Sequence, residues 1–221
     1  MDFSGKQAAV IGYGKSGKAA LELLGKLGAK RVLYDQKFDV NAPGIEAEVL
    51  VSGEFKEEGW EGTDVAVFSP GVPVFDKIGD FFRSKNIPII GEIELGYLVD
   101  KGSVMAITGT NGKTTTTTLV GEIMKAYNDK TFVVGNIGNP YTSEADKTSE
   151  DSVTVAEISS FQLESTDTFC PKVSAILNIT PDHLNRHGTM EKYAETKLSI
   201  TKNQTKEQFC ILNYEDARLR E

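Results

Sequence analysis

Short apolar runs alternate with amphipathic stretches along the first hundred residues, and this alternation predicts parallel strands joined by helical crossovers. Gln7–Ile11 reads as a strand. Ser16–Leu27 reads as a helix with Ala20, Leu23, Leu24 and Leu27 on one face, and Gly28 stops it. Arg31–Tyr34, Asp64–Phe68 and Ile87–Ile90 read as further strands, with a helix over Asp76–Lys85 between the last two. A short helix over Glu92–Val99 leads to a joint at Asp100-Lys101-Gly102.

The same grammar restarts after the joint. Val104–Ile107 reads as a strand, Thr110–Gly112 as a loop and Lys113–Lys125 as a helix. Later strands are expected at Phe132–Val134, Val153–Ile158, Val173–Ile179 and Phe209–Leu212. Residues 142–151, rich in Ser, Thr, Glu, Asp and Lys, read as a solvated loop. The expected fold is α/β. A Rossmann-like parallel-sheet domain over residues 1–100 precedes a P-loop NTPase-like domain over 101–221, which stops soon after a strand and is expected to be incomplete.

Composition narrows the function. Acidic residues outnumber basic ones, 32 to 24, for a net charge of −8. That balance argues against nucleic-acid binding, which needs basic stripes to neutralise phosphates. No run approaches the roughly 18 apolar residues of a membrane span. The first apolar run is cut at Gly12, too short for a signal segment, so a cytoplasmic protein is expected. Cys170 and Cys210 lie in apolar runs without metal-site spacing and read as reduced core thiols.

Two glycine loops carry candidate chemistry. Gly12-Tyr13-Gly14-Lys15-Ser16-Gly17 follows a strand and opens a helix, with Asp35 at the end of the next strand. Glycines admit a ligand close to the backbone, and the helix N-terminus offers free N–H groups to phosphate. By its mechanics alone the loop reads as an NAD site, although any nucleotide diphosphate suits the same geometry. The loop Ser69-Pro70-Gly71-Val72-Pro73 also follows a strand and can close over the same ligand.

The second loop is the more specific. Thr108-Gly109-Thr110-Asn111-Gly112-Lys113-Thr114-Thr115 lies between a strand and a helix. In such a loop backbone N–H groups cradle phosphates, Lys113 reaches the β- and γ-phosphates, and a hydroxyl of Thr114 or Thr115 can hold Mg²⁺. Only the first glycine of the usual pattern is missing. ATP or GTP is the expected ligand. Glu157 and His183, each after a predicted strand, are candidate metal ligands.

Together these motifs resemble the muramyl (Mur) ligase family. The resemblance rests on Ile107–Thr115, Gly135-Asn136-Ile137-Gly138, Glu157–Leu163, Asn178–Gly188 and Tyr193-Ala194-Glu195-Thr196-Lys197, in that order. It implies an ATP-dependent ligase of peptidoglycan precursor synthesis. The first domain's loops look most like those of the member that joins D-glutamate to UDP-N-acetylmuramoyl-L-alanine through an acyl phosphate.

The resemblance also implies site residues. Gly14, Lys15, Ser16, Asp35, Gln36, Ser69 and Gly71 would hold the uridine nucleotide in place of NAD, and Asn136 and Gln162 the muramoyl end. Gly109, Thr110, Asn111, Gly112, Lys113, Thr114 and Thr115 would bind ATP. Lys113, His183 and Lys197 would be catalytic. Two Mg²⁺ ions would be held by Thr114, Glu157, His183 and Lys197, the last as a carbamate; without the motif, Lys197 reads as an ordinary lysine on an exposed helix face. A monomer is expected. Members of the family carry a third domain for the incoming amino acid, so this chain is expected to be a fragment unable to complete ligation. The alternatives are another ligase of the family or of the folylpolyglutamate type, an NAD- or NTP-binding module without ligase activity, and a non-catalytic interaction protein.

Overall fold

The computed structural model describes residues 2–37, 39 and 44–220. The first unit contains β1 (Gln7–Ile11), α1 (Lys15–Lys26), β2 (Lys30–Asp35), β3 (Val49–Ser52), β4 (Thr63–Phe68), α2 (Lys77–Ser84), β5 (Ile89–Gly91) and α3 (Glu92–Val99). Its strands are all parallel, in the order β3-β2-β1-β4-β5. The connections after β1 and β4 leave on either side of the point where strand order reverses. Ligands bind at such a point in open parallel sheets.

The second unit holds β6 (Ser103–Thr108), α4 (Lys113–Tyr127), β7 (Thr131–Gly135), β8 (Val153–Glu157), α5 (Ser160–Leu163) and β9 (Val173–Ile176). It continues with α6 (Leu184–His187), α7 (Met190–Leu198), β10 (Phe209–Leu212) and α8 (Ala217–Arg220). This sheet is also parallel, in the order β10-β9-β6-β8-β7. The central strand β6 lies between β8 and β9, and the lysine-bearing loop leaves from its C-terminal end.

Four sequence expectations need correction. The first sheet has a fifth strand, β3, whose four residues Val49–Ser52 are too few to show a period. The strand expected over Val173–Ile179 ends at Ile176. Leu177 N still bonds Thr108 O, but past Thr108 the partner strand has become the glycine loop, so no ladder remains. Residues 142–151 are only partly solvated, with Asp146, Lys147, Glu150 and Asp151 exposed. Thr142, Ala145 and Thr148 are buried, and the segment folds as two 3₁₀ turns whose hydroxyls are bonded within the protein. Cys210 is not a core thiol, since all four residues of the edge strand β10 are exposed; Cys170 is half-buried, and both thiols are free.

Two carboxylates of α3 pin it to the second unit. Glu94 is buried and accepts from the backbone N–H groups of Asp167, Thr168 and Phe169. Glu92 is equally buried, and its Oε1 accepts from Thr142 N (2.7 Å) and Thr142 Oγ1 (2.9 Å), while its Oε2 has no partner among the described residues. Burial raises the Glu92 carboxyl to about 7 against bonds from Thr142 that lower it.

The raised value means that the folded chain binds more protons than the unfolded one between about pH 4.5 and 7. This contribution is present below 4.5 and is lost as pH rises through 7. Glu92→Gln is therefore expected to stabilise the chain at pH 8 by about 1–2 kcal/mol and to flatten its pH dependence across that window. Urea unfolding of both forms at pH 5 and pH 8 measures it; equal differences at the two pH values would contradict the assignment.

Candidate functional site

The loop after β1 is shaped by glycine where no other residue fits. Gly12 has φ +94°, and a Cβ there would stand 2.8 Å from Val72 Cγ2. A Cβ on Gly17 would stand 1.8 Å from Gly12 O, so the first turn of α1 lies directly on the loop. Ser69, from the loop after β4, donates its hydroxyl to Gly12 O at 2.7 Å and ties the two loops together. Asp35, at the end of β2, accepts from Tyr13 N (2.7 Å) and Lys37 N (2.8 Å).

These loops form one wall of a cleft of about 600 Å³, a volume suited to a nucleotide-sized ligand. Gly14, Lys15, Ser16, Asp35, Ser69, Gly71, Asn136 and Gln162 all line it. The opposite wall comes from the second unit, through the loop Gly135–Pro140 and α5, and Lys15 Nζ donates to Gly138 O across the gap. Gln36 lies in an adjoining cleft with Lys37, Glu54 and Phe55 that shares Gly12, Asp35 and Gly71 with the first.

Behind the second wall is the loop after β6. Gly109 (φ +151°) and Gly112 (φ +81°) give it its curvature, and Gly112 opens α4 without a side-chain cap, leaving first-turn N–H groups for an anion. Lys113 Nζ folds back to donate to Gly109 O (3.0 Å) and Thr110 O (2.9 Å). Asn111 exchanges hydrogen bonds with the Asn178 side chain, 2.8 Å from its N–H and 3.0 Å to its carbonyl. Thr115 stands exposed on the first turn of α4.

The two sites meet at one carboxylate. Glu157, the buried last residue of β8, accepts from Thr114 Oγ1 (2.9 Å) on Oε2 and from Asn136 Nδ2 (2.8 Å) on Oε1. Thr114 belongs to the lysine-bearing loop and Asn136 to the cleft. A Cβ on Gly135 would lie 2.2 Å from Glu157 O, so only glycine allows Asn136 to approach so closely.

Lys197 is not on an exposed face. It is 1% accessible on the inner side of α7, and its Nζ donates to Gly109 O at 2.8 Å, the carbonyl that Lys113 also uses. Its ammonium lies 4.8 Å from the Tyr193 ring centroid. Burial and, after it, the nearby Lys113 cation bring the amine down to about 7.

His183 has a left-handed backbone (φ +51°) and packs its ring 4.8 Å from Phe161, with Nε2 3.5 Å from Asp182 Oδ2. Of the four expected metal-binding residues, only Thr114 and Glu157 are in contact. Among the described residues no three His, Cys, Asp or Glu side chains converge on an ion position. The Thr114 hydroxyl and the Glu157 carboxylate are nevertheless suitable oxygen donors for Mg²⁺, which takes few protein ligands and keeps its waters, whereas the His183 imidazole is a nitrogen donor that Mg²⁺ takes less readily.

Sequence reasoning gave no role of their own to Asn178, which braces the loop, and Tyr193, whose hydroxyl lies 3.2 Å from Thr110 Oγ1. A polar side chain just past a strand that faces a glycine loop was the available signal for Asn178.

Residues 107–221 match the family description "Mur ligase middle domain". The chain is 56% identical over 227 residues to a UDP-N-acetylmuramoylalanine–D-glutamate ligase from Lachnoclostridium phytofermentans, covering 100% of this chain and 50% of that protein. It is 57% identical over 226 residues to the protein of the same name from Lachnospira eligens, covering 99% and 50%. The chain thus spans about half the length of the curated relatives it matches. Among solved structures, a UDP-N-acetylmuramate:L-alanyl-γ-D-glutamyl-meso-diaminopimelate ligase from Neisseria meningitidis superposes with a TM-score of 0.59 at 15% identity, covering 98% of this chain and 74% of that one. A UDP-N-acetylmuramate–alanine ligase from Thermotoga maritima superposes at 0.54 and 20% identity, covering 96% and 50%. At such identities the likeness concerns the fold.

Proposed function

The chain belongs to the Mur ligase family, and on that premise we propose that it carries the nucleotide-sugar and ATP sites of a ligase that joins D-glutamate to UDP-N-acetylmuramoyl-L-alanine. In this reading residues 1–100 hold the uridine nucleotide and residues 101–221 hold ATP. The observation that carries it is the Thr114–Glu157–Asn136 bridge, which joins a triphosphate-type loop to the wall of a nucleotide-sized cleft through one carboxylate. Names of the relatives supply the amino acid and the sugar.

The chemistry follows from the poor electrophilicity of a carboxylate. Transfer of the γ-phosphoryl group of ATP to the alanine carboxylate gives an acyl phosphate. The D-glutamate amine then attacks its carbonyl carbon, and inorganic phosphate leaves. Phosphoryl transfer needs alignment and charge neutralisation more than covalent help. The N–H groups at the start of α4 cradle the phosphates, and Lys113 exchanges two loop carbonyls for phosphate oxygens. Gln162 and Asn136 position the alanine carboxylate that accepts the phosphoryl group. Thr114, Glu157, His183 and a carbamylated Lys197 would hold Mg²⁺, which would supply charge neutralisation for the transferring group.

Carbamylation suits the surroundings of Lys197. Its buried amine has a carbonyl for a partner, no carboxylate bonded to it, and Lys113 nearby. Attack of the neutral amine on CO₂ with loss of a proton gives a carbamate, an anion where a cation is disfavoured. Among the described residues no helix is long and apolar enough to cross a membrane. The reading implies a monomer working in the cytoplasm.

Lys113→Ala is expected to weaken Mg-ATP binding to the chain about 100-fold, since it removes the one side chain of the loop that can pair with the β- and γ-phosphates. Calorimetric titration of both forms with Mg-ATP measures it. Equal dissociation constants would remove the ATP assignment from this loop.

A further inference from the structure

Behind the cleft, a cluster of buried side chains joins α5 to α6 and has no part in the chemistry above. His187, the last residue of α6, places Nε2 3.0 Å from Ser160 Oγ at the start of α5. Both residues are buried. The His187 ring stacks on Phe161 at 5.7 Å and tilts against Tyr193 at 5.2 Å. Glu164 at the end of α5 lies 3.6 Å from His187 Nδ1 and is forked by the Arg186 guanidinium, which lies over the Phe161 ring at 4.5 Å.

The placement of α5 makes this cluster consequential. The helix has one turn and is too short to hold its position by its own backbone bonds. Ser159 caps it reciprocally with Gln162, the residue that lines the cleft. On the other side, the Tyr193 hydroxyl meets Thr110 of the lysine-bearing loop. His187 thus touches both the residue that starts the cleft-facing turn and the residue that contacts the phosphate loop.

We infer that His187 is a positioning residue, which through its hydrogen bond to Ser160 fixes α5 so that Gln162 meets the sugar-acid part of a nucleotide-linked substrate. The inference rests on the proposed reading of the cleft as a uridine-nucleotide-sugar site and adds a residue to it. His187 itself does not touch the ligand. Its effect is on the acyl end of the substrate and not on the nucleotide end, which the loops after β1 and β4 hold from the other unit.

The test is calorimetric titration of the wild-type chain and of Ser160→Ala, His187→Phe, His187→Gln and the Ser160→Ala/His187→Phe pair. UDP-N-acetylmuramoyl-L-alanine is the first ligand and UDP the second. Phe keeps the ring contacts with Phe161 and Tyr193 but cannot bond Ser160, and Gln places an amide nitrogen near the position of Nε2. Ser160→Ala and His187→Phe are each expected to weaken the muramoyl nucleotide about tenfold and to leave UDP within about twofold. The double variant is expected to be no weaker than the weaker-binding single one, because both changes remove the same bond. His187→Gln is expected to restore most of the affinity.

Equal weakening of both ligands would show general loosening and overturn the inference, as would multiplying effects in the pair or unchanged binding of the muramoyl nucleotide. A cooperative thermal transition in each variant separates misfolding from repositioning, and His187→Gln supplies the comparison if Phe is not accommodated. If the wild-type chain binds neither ligand, the reading of the cleft fails and the inference falls with it.

Discussion

Gly17→Ala is expected to lower the thermal midpoint of the chain by about 6–12 °C, which corresponds to a loss of roughly 3 kcal/mol or more for a chain of this size. Two effects oppose each other at this helical position. Alanine gains roughly 1 kcal/mol of helix propensity over glycine. Its Cβ, however, would stand 1.8 Å from the carbonyl oxygen of Gly12 and 2.6 Å from Ser69 Oγ. The oxygen belongs to backbone fixed between β1 and α1, so it cannot turn aside as a side-chain tip does. The clash wins. Gly14 provides the contrast, because nothing lies within 4 Å of a Cβ there and Gly14→Ala is expected to shift the midpoint by no more than about 1–2 °C. Thermal unfolding of both variants measures this, and a Gly17→Ala midpoint equal to that of Gly14→Ala would contradict the packing of α1 on the loop.

The second large effect is expected at Lys197. Its folded value is depressed to about 7 from an ordinary 10.5, so the unfolded chain binds more protons between these values. Stability then rises with pH across that window, and the penalty is complete below pH 7. The cost of holding a desolvated cation beside Lys113 is on the order of several kcal/mol at pH 6.5, less whatever solvent penetration relieves. Lys197→Met fills similar volume without charge and gives up the bond to Gly109 O, to which Lys113 still donates. The variant is expected to melt higher than wild type at pH 6.5, with the advantage disappearing by about pH 10.5.

Bicarbonate offers an independent readout at the same residue. At pH 8, where the amine is largely neutral and can attack CO₂, added bicarbonate is expected to raise the wild-type midpoint, because the carbamate places an anion facing the Lys113 cation. Lys197→Met is expected to be unaffected. Lys197→Met melting lower than wild type at every pH, together with no bicarbonate response in wild type, would contradict a buried, carbamylatable amine at Lys197.

Much of the fold was legible because its signals are local. Strand β1, helix α1 and the glycines between them lie within a few residues of each other, and period and turn chemistry specify them together. The range Glu92–Val99 for α3 and the edge strand Phe209–Leu212 were read to the residue. What escaped is set by distant partners. Strand β9 stops where its neighbour β6 turns into a loop, which its own sequence Val173–Ile179 does not announce. Thr142, in the polar run 142–151, is buried because Glu92, fifty residues away in sequence, accepts from it.

The site divides along the same line. Loop residues next to strand ends were singled out by their own motifs or by the resemblance, and the fold brings eight of them to the lining of one cleft. The burial of Lys197 was not visible, since a lysine on a helix reads as solvated until the packing partner is known. The sequence likewise does not show that Glu157 joins Thr114 to Asn136, which depends on β7 and β8 being neighbours.

We assign the cleft between the two sheets to a uridine-nucleotide sugar and not to a dinucleotide. Calorimetric titration of the wild-type chain with UDP-N-acetylmuramoyl-L-alanine, and in parallel with NADH, tests it most directly. Saturable binding of the muramoyl nucleotide at one site per chain is expected, with no heat beyond dilution for NADH. Binding of NADH without the muramoyl nucleotide would contradict it.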